Sequence, residues 1–266
     1  MNKKIGFVGC GNMGSAMVGG MINSGLVVKE DIIASCRTEN SAKRLIDKFG
    51  INTTLSNREI CEKSDLIFLA VKPFMYGDVI NEIKDLVDDS KVIISIAAGV
   101  TIEKIEDWFG KEIKLVKTMP NTPALVGEGM SAICPNSKVN ENELAEVMDI
   151  FNSFGKCEIL DEKYFHGFIA LAGSSPAYAY MFIEAMGDAG VKQGIPRDKA
   201  YRLAAQSLLG AAKMVLETGE HPGRLKDNVC SPGGTTIEAA IELEKQGFRS
   251  AIISAMEKCE EKSKNM

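Results

Sequence analysis

The sequence predicts an α/β protein, with an N-terminal doubly wound, mainly parallel sheet followed by an all-α C-terminal domain. Three observations point there. Short apolar runs alternate with amphipathic helical patterns through the first 160 residues, a glycine-rich turn joins the first run to the first helical pattern, and after Asp161 only helical patterns follow. Strands alternating with helices imply parallel pairing with helices on both faces of the sheet. A chain of 266 residues is long enough for two domains. The change in pattern divides it into 1–160 and 161–266.

Residues 5–8 read as the first strand, an apolar run ending at Gly9. Further strands are expected at 32–35, 66–71, 92–96 and 115–118, with a weaker one at 51–54. Helical patterns fall between them at 13–24, 41–49, 75–86 and 102–109. A strand at 131–134, a helix at 141–154 and a strand at 156–160 extend the sheet to about eight strands. The second domain is expected to hold helices at 162–172, 176–193, 197–218, 236–246 and 248–262. Within 201–216 the apolar residues Leu203, Ala204, Leu208, Leu209, Ala211, Met214, Val215 and Leu216 cover more than one stripe. A helix apolar on several sides must be buried on several sides, and about a hundred residues can bury few such helices alone. A subunit interface in this domain is therefore expected. The polar stretch 260–266 is expected to fray.

Composition excludes several function classes. Net charge is -5, from 31 basic and 36 acidic residues, with no basic run, which disfavours nucleic acid and anionic membranes as partners. The seven cysteines are scattered and lack a Cys-x-x-Cys pair, which suits reduced thiols in the cytoplasm. Lys3-Lys4 followed by Ile5–Val8 is superficially like a secretory leader, but the apolar run breaks at Gly9, so a first strand is the better reading. No apolar stretch is long enough to span a bilayer. With His166 and His221 as the two histidines, no metal site is expected.

Gly9-Cys10-Gly11-Asn12-Met13-Gly14 follows a strand and opens a helix. The first glycine permits the tight turn, the second lets a pyrophosphate approach the backbone, and the third lets helix and strand pack closely. The helix start adds unpaired N–H groups and a partial positive charge. This is a Rossmann-type dinucleotide site, with Gly9, Gly11, Asn12, Met13 and Gly14 as its loop. At the end of the second strand, Ser35, Arg37 and Thr38 offer donors to a ribose 2′-phosphate, which selects NADPH. The alternative is a solvated Arg37 with Glu39 on the ribose, which admits NADH. Val71-Lys72-Pro73 and Met119-Pro120-Asn121-Thr122-Pro123 end later strands, on the edge where doubly wound sheets bind ligands. The second reads equally as a polar ledge for cofactor or substrate and as a rigid connector.

Near the other end, Ser231-Pro232-Gly233-Gly234-Thr235-Thr236-Ile237-Glu238 opens a helix. Thr235-x-x-Glu238 fits a capping box, with Thr235 at the N-cap and Thr236 first in the helix with its hydroxyl free. Bare N–H groups beside hydroxyls suit a small anion. His221-Pro222-Gly223 reads as the stop of the long preceding helix, and both histidines read as structural. No general base, nucleophilic triad or metal cluster stands out, so chemistry carried by a cofactor is favoured.

The chain resembles the pyrroline-5-carboxylate reductases over essentially its whole length. The resemblance rests on Gly9–Gly14, Ala70-Val71-Lys72-Pro73, Ala97-Ala98-Gly99-Val100-Thr101, Asn121-Thr122-Pro123 and Pro176-Ala177-Tyr178-Ala179. Most specific are the block from Leu225 to Thr236 and Gly247-Phe248-Arg249-Ser250. One departure is Ser175, where the family commonly has glycine before the proline. The resemblance implies hydride transfer from NAD(P)H to the C=N carbon of 1-pyrroline-5-carboxylate, giving L-proline, the last step of proline biosynthesis. It implies a nicotinamide near Ala97 and the loop Ala70, Val71, Lys72 and Pro73, and a contact of Asn57 with the adenosine part. It places the substrate carboxylate on Gly233, Gly234, Thr235 and Thr236 with Ser231 alongside, and has Thr236 bond the ring nitrogen. It also implies a homodimer through the C-terminal helices and a pentamer of such dimers. The competing readings are a β-hydroxyacid dehydrogenase, whose Gly-x-Gly-x-Met-Gly is similar but whose helical Lys and Asn are missing from 173–187, and a non-catalytic NADP(H)-binding protein.

Overall fold

The computed structural model describes Met1 and residues 3–265. It divides into two compact units: Met1–Ser174 with the chain from Glu260 onward, and Ser175–Cys259.

In the first unit, β1 (Ile5–Val8) leads through α1 (Asn12–Asn23) to β2 (Ile32–Ser35). Then come α2 (Glu39–Phe49), β3 (Asn52–Thr54), α3 (Asn57–Lys63) and β4 (Leu66–Leu69). The chain continues through α4 (Tyr76–Ile83), β5 (Val92–Ser95), α5 (Ile102–Phe109) and β6 (Lys114–Met119). It closes the sheet with β7 (Gly129–Pro135), α6 (Glu141–Asn152) and β8 (Gly155–Ile159). The described strands form one sheet in the order β3-β2-β1-β4-β5-β6-β7-β8. Pairing is parallel except between β6 and β7. The order reverses between β1 and β4, so the ends of these two strands frame the crevice where such sheets take ligands.

The apolar runs are continuous because both faces of the sheet are covered. Ile5, Phe7, Ile32, Ala34, Leu66 and Phe68 turn to one cluster with α1 and α6, while Val8, Ile33, Ile67, Leu69 and Ile93 turn to another with α4 and α5. Phe7 stacks on Phe68 with ring centroids 4.7 Å apart. Polar residues at the helix starts satisfy orphan N–H groups: Thr38 caps α2, Ser56 caps α3, Thr101 caps α5, and Asn140 with Glu143 forms a capping box on α6.

After β8 come α7 (Phe165–Phe168) and a π-helical stretch, Ile169–Gly173. The sequence pattern had one plain helix there. The second unit holds α8 (Ser175–Lys192), α9 (Arg197–Thr218), α10 (Pro222–Val229) and α11 (Thr235–Lys245), and most of α12 (Phe248–Lys264). The ring of Tyr201 sits where a Cβ on Gly187 would fall, so α8 and α9 cross closely. Between Ser175 and Cys259, only Gly187, Ala200 and Ala204 are buried in the single chain, while Leu203, Leu209, Met214, Leu216, Ile241 and Ile253 are exposed.

Two expectations need correction, and one helix was not expected. His221-Pro222 does not simply end α9; it starts α10, with Pro222 in the first turn and His221 Nδ1 accepting from the Gly223 N–H at 3.1 Å. The short helix α3 carried too little periodicity to be read, with Ile60 and Cys61 as its buried residues. The C-terminal stretch does not fray from Glu260: α12 runs to Lys264, and buried Ser263 pairs with His166 Nδ1 at 2.9 Å. Met266 lies outside the described residues. The departure at Ser175 is harmless to the backbone, because among the described residues no non-glycine has positive φ.

Candidate active site

The glycine turn stands at the point where strand order reverses. Gly9 has φ +77°, and a Cβ there would fall 2.7 Å from Val71 Cγ1. Ala70 N–H donates to Val8 O at 2.9 Å, so the loops after β1 and β4 are locked together. Gly11 caps α1 through its backbone and has open space where its Cβ would be. Asn12 begins the helix and Met13 follows, half-buried; Gly14 is buried, with a hypothetical Cβ 3.2 Å from Cys10 Sγ. The open side at Gly11 and the free N–H groups of the first turn of α1 fit a pyrophosphate.

Ser35 and Asn57 sit together beside this turn, though not as free donors. Ser35 is buried; its hydroxyl accepts from Gly9 N–H at 3.0 Å and donates to Asn57 Oδ1 at 2.6 Å. Asn57 Nδ2 donates to Glu82 Oε2 at 2.8 Å. In this arrangement the Ser35 hydroxyl holds the glycine turn in place, and its contact with a 2′-phosphate stays a proposal. Thr38 serves as the cap of α2, donating to Ser41 Oγ at 3.0 Å. Arg37 remains, exposed after β2. Sequence reasoning passed over Arg44, which donates to Ser41 Oγ at 3.2 Å and adds a second guanidinium to this junction. Its signal was the turn spacing from Ser41 to Arg44 on one helix face.

Ala70, Val71, Lys72 and Pro73 follow β4, with Lys72 exposed at the start of a tight turn and Pro73 inside it. Ala97 lies in the loop after β5, buried, its N–H 3.5 Å from Ser95 Oγ. Asn121 resolves the choice left by its sequence context. Its Nδ2 donates to Ala172 O and its Oδ1 accepts from Met130 N–H, both at 2.9 Å, so its amide is occupied as a connector.

Desolvation pushes the nearby Cys10 thiol up to about 12, which disfavours its thiolate form.

In the second unit, the start of α11 differs from expectation by one residue. Gly234 N–H donates to Ser231 O at 3.0 Å, and Gly233 turns at φ +66°. Gly234, extended at φ −82°, is then the N-cap, with no side-chain cap. The capping box at Thr235 is not formed, because Thr235 is already the first helical residue and Thr236 the second. A Cβ on Gly234 would collide with Ser231 Oγ, which explains glycine there. Ser231, Gly233 and Thr235 are exposed, and Thr236 is half-buried.

A doubly wound sheet with a glycine turn at its switch point, joined to a helical unit, defines a nicotinamide-dependent oxidoreductase. Residues 4–99 match the family described as NADP oxidoreductase coenzyme F420-dependent, and residues 162–266 match pyrroline-5-carboxylate reductase dimerisation. The pyrroline-5-carboxylate reductase of Escherichia coli (strain K12) is 50% identical over 266 residues, covering 100% of this chain and 99% of the relative. That of Methanosarcina acetivorans is 42% identical, covering 100% and 98%. The crystal structure of Plasmodium falciparum pyrroline carboxylate reductase with NADP bound superposes with a TM-score of 0.89 at 40% identity, covering 99% of this chain and 98% of that one. The chain belongs to the pyrroline-5-carboxylate reductase family.

Proposed function

We propose that this chain reduces the C=N bond of 1-pyrroline-5-carboxylate to L-proline with NADPH, as the last step of proline biosynthesis. The observation that carries this reading is the full-length identity of 50% to a reductase of that name. When bound, NADPH supplies a hydride to the imine carbon. The residues of the chain bind, orient and donate. Gly9, Gly11, Asn12, Met13 and Gly14 hold the pyrophosphate, Arg37 faces the 2′-phosphate, and Asn57 lies beside the adenosine. Ala70, Val71, Lys72, Pro73 and Ala97 border the nicotinamide.

At the start of α11, the N–H groups of the first turn and the helix dipole hold the substrate carboxylate. Ser231, Gly233, Gly234 and Thr235 form this seat. The hydroxyl of Thr236 donates toward the ring nitrogen, where negative charge develops as hydride arrives at carbon. It is the residue proposed to act directly in the reaction.

The chain functions as a cytoplasmic homodimer through its C-terminal helices, assembled as a pentamer of dimers, with no nucleic-acid partner. The exposed apolar residues of α9 support that assembly. The functional division runs at 160/161, with cofactor binding in 1–160 and substrate binding and dimerisation in 161–266. No helix among the described residues is long and apolar enough to cross a membrane.

A matrix of NADPH and NADH against 1-pyrroline-5-carboxylate and 3-hydroxyisobutyrate-type acids tests the reading. Turnover is expected with the imine and NADPH. Turnover with the hydroxy acids alone points instead to a hydroxyacid dehydrogenase, and NADPH binding without turnover to a non-catalytic protein. An NADH preference removes the assignment of Arg37.

A further inference from the structure

Tyr76, the first residue of α4, is fully buried, yet its hydroxyl reaches the ligand-binding edge of the sheet from beneath. It donates to Leu69 O, at the end of β4, at 2.6 Å. With its proton given to Leu69, its oxygen accepts from Ser95 Oγ, at the end of β5, at 3.2 Å. Ser95 Oγ in turn lies 3.5 Å from the Ala97 N–H, and Thr118 of β6 donates to Ser95 O at 2.9 Å. Tyr76, Ser95 and Thr118 are all fully buried.

These contacts sit where the ladder between β4 and β5 runs out. Its last paired residues are Leu69 and Ser95. Beyond them the backbone separates into the loops 70–73 and 96–99, and carbonyls and amides that lose ladder partners must find others when buried. The phenol serves both sides, giving a proton to the β4 end and accepting from the β5 end. Its ring is held in turn by Trp108, with centroids 6.4 Å apart. Burial pushes the hydroxyl up to about 12, so it stays a neutral donor across the working pH range. Phenylalanine would fill the same space but leave Leu69 O without this partner.

We infer that Tyr76 is a positioning residue for the nicotinamide end of the cofactor site, its phenol bracing the 70–73 loop to the 96–99 loop from inside the core. The inference rests on the proposed placing of the nicotinamide beside these loops. Tyr76 touches neither cofactor nor substrate; it fixes the spacing of the backbone that does.

Fluorescence titration of the full-length protein tests this with two probes, NADPH and adenosine 2′,5′-bisphosphate, which carries the adenosine end without the nicotinamide. In Tyr76→Phe, the Kd for NADPH is expected to rise at least about fivefold, as part of the cost of one unmade buried hydrogen bond falls on the bound state. The Kd for the bisphosphate is expected to stay at the wild-type value. Ile83→Val, in the same core cluster, serves as the stability control: it lowers Tm and leaves both Kd values unchanged. Equal NADPH affinity in Tyr76→Phe and wild type refutes the brace, as does an equal loss in Ile83→Val. Failure of the wild type to bind NADPH strikes the cofactor reading instead. Should Tyr76→Phe not fold, Ser95→Ala gives the same readout, because it removes the Ser95 side of the brace and keeps the Leu69 bond. Unchanged NADPH affinity there overturns the inference.

Discussion

Replacing Thr236 with alanine separates chemistry from stability at the start of α11. The cap of this helix is Gly234, and no side chain bonds there, so the Thr236 hydroxyl has no part in holding the helix start. Alanine is the better helix former by about 0.5 kcal/mol, and Thr236 is only half-buried. The Tm of Thr236→Ala is therefore expected to match or slightly exceed that of the wild type. The kinetic effect is of a different size. A donor aimed at charge that develops in the transition state contributes about 1.4–4 kcal/mol, so kcat/KM is expected to fall about ten- to a thousandfold. Because the interaction strengthens as hydride transfers, kcat should fall with kcat/KM, and KM for the imine should move little. Thr236→Ser, which keeps the hydroxyl, should recover most of the rate. The assay is steady-state NADPH oxidation at saturating cofactor, with thermal unfolding of the same samples. Wild-type kcat/KM in the alanine variant refutes the role, and a Tm loss of several degrees refutes the assignment of the cap.

The neighbouring position gives a companion test. Thr235→Ala should cost less than about 0.5 kcal/mol in denaturant unfolding, whereas Asn140→Ala, which breaks a formed capping box, should cost about 1 kcal/mol. In the glycine turn, Gly9→Ala forces a side chain into positive φ and into Val71, for a loss of about 2–4 kcal/mol of stability. Gly11→Ala, at φ −79° in open space, should cost no more than about 1 kcal/mol, the penalty of alanine at an N-cap, and still weaken NADPH binding, because its methyl group would lie where the pyrophosphate is proposed to approach. Equal effects of the two glycine variants on Tm would refute that division. Leu209→Glu, at an exposed apolar position of α9, should shift the protein to a smaller species on size-exclusion chromatography; an unchanged elution volume counts against the proposed interface.

The sheet was legible because its strands are buried on both faces and read as uninterrupted apolar runs, as at Ile5–Val8 and Ile32–Ser35. Even the short edge strand Asn52–Thr54 lay where the pattern placed it. The helix α3 was not legible, since seven residues with Ile60 and Cys61 as the buried pair carry less than two turns of periodicity. At the candidate site, the glycine turn could be read from local backbone demands, and the start of α11 to within one residue. The partner of Ser35 could not: whether that hydroxyl is free depends on what tertiary packing brings to it, and here packing brings Asn57 from 22 residues away, whereas Thr38 is taken by a local cap three residues on. Tyr76 was hidden for the same reason, as one aromatic in an apolar stretch looks like any other core residue until its oxygen has neighbours.

The near-absence of buried side chains from Ser175 to Cys259 has a consequence for how this protein withstands dilution. In the proposed dimer, a segment with almost no interior of its own draws its cohesion from the partner's surface, which would make its folding a reaction of higher order than one. Its melting temperature should then climb with protein concentration, and damage confined to α9 should register as a weakened association before it registers as lost turnover.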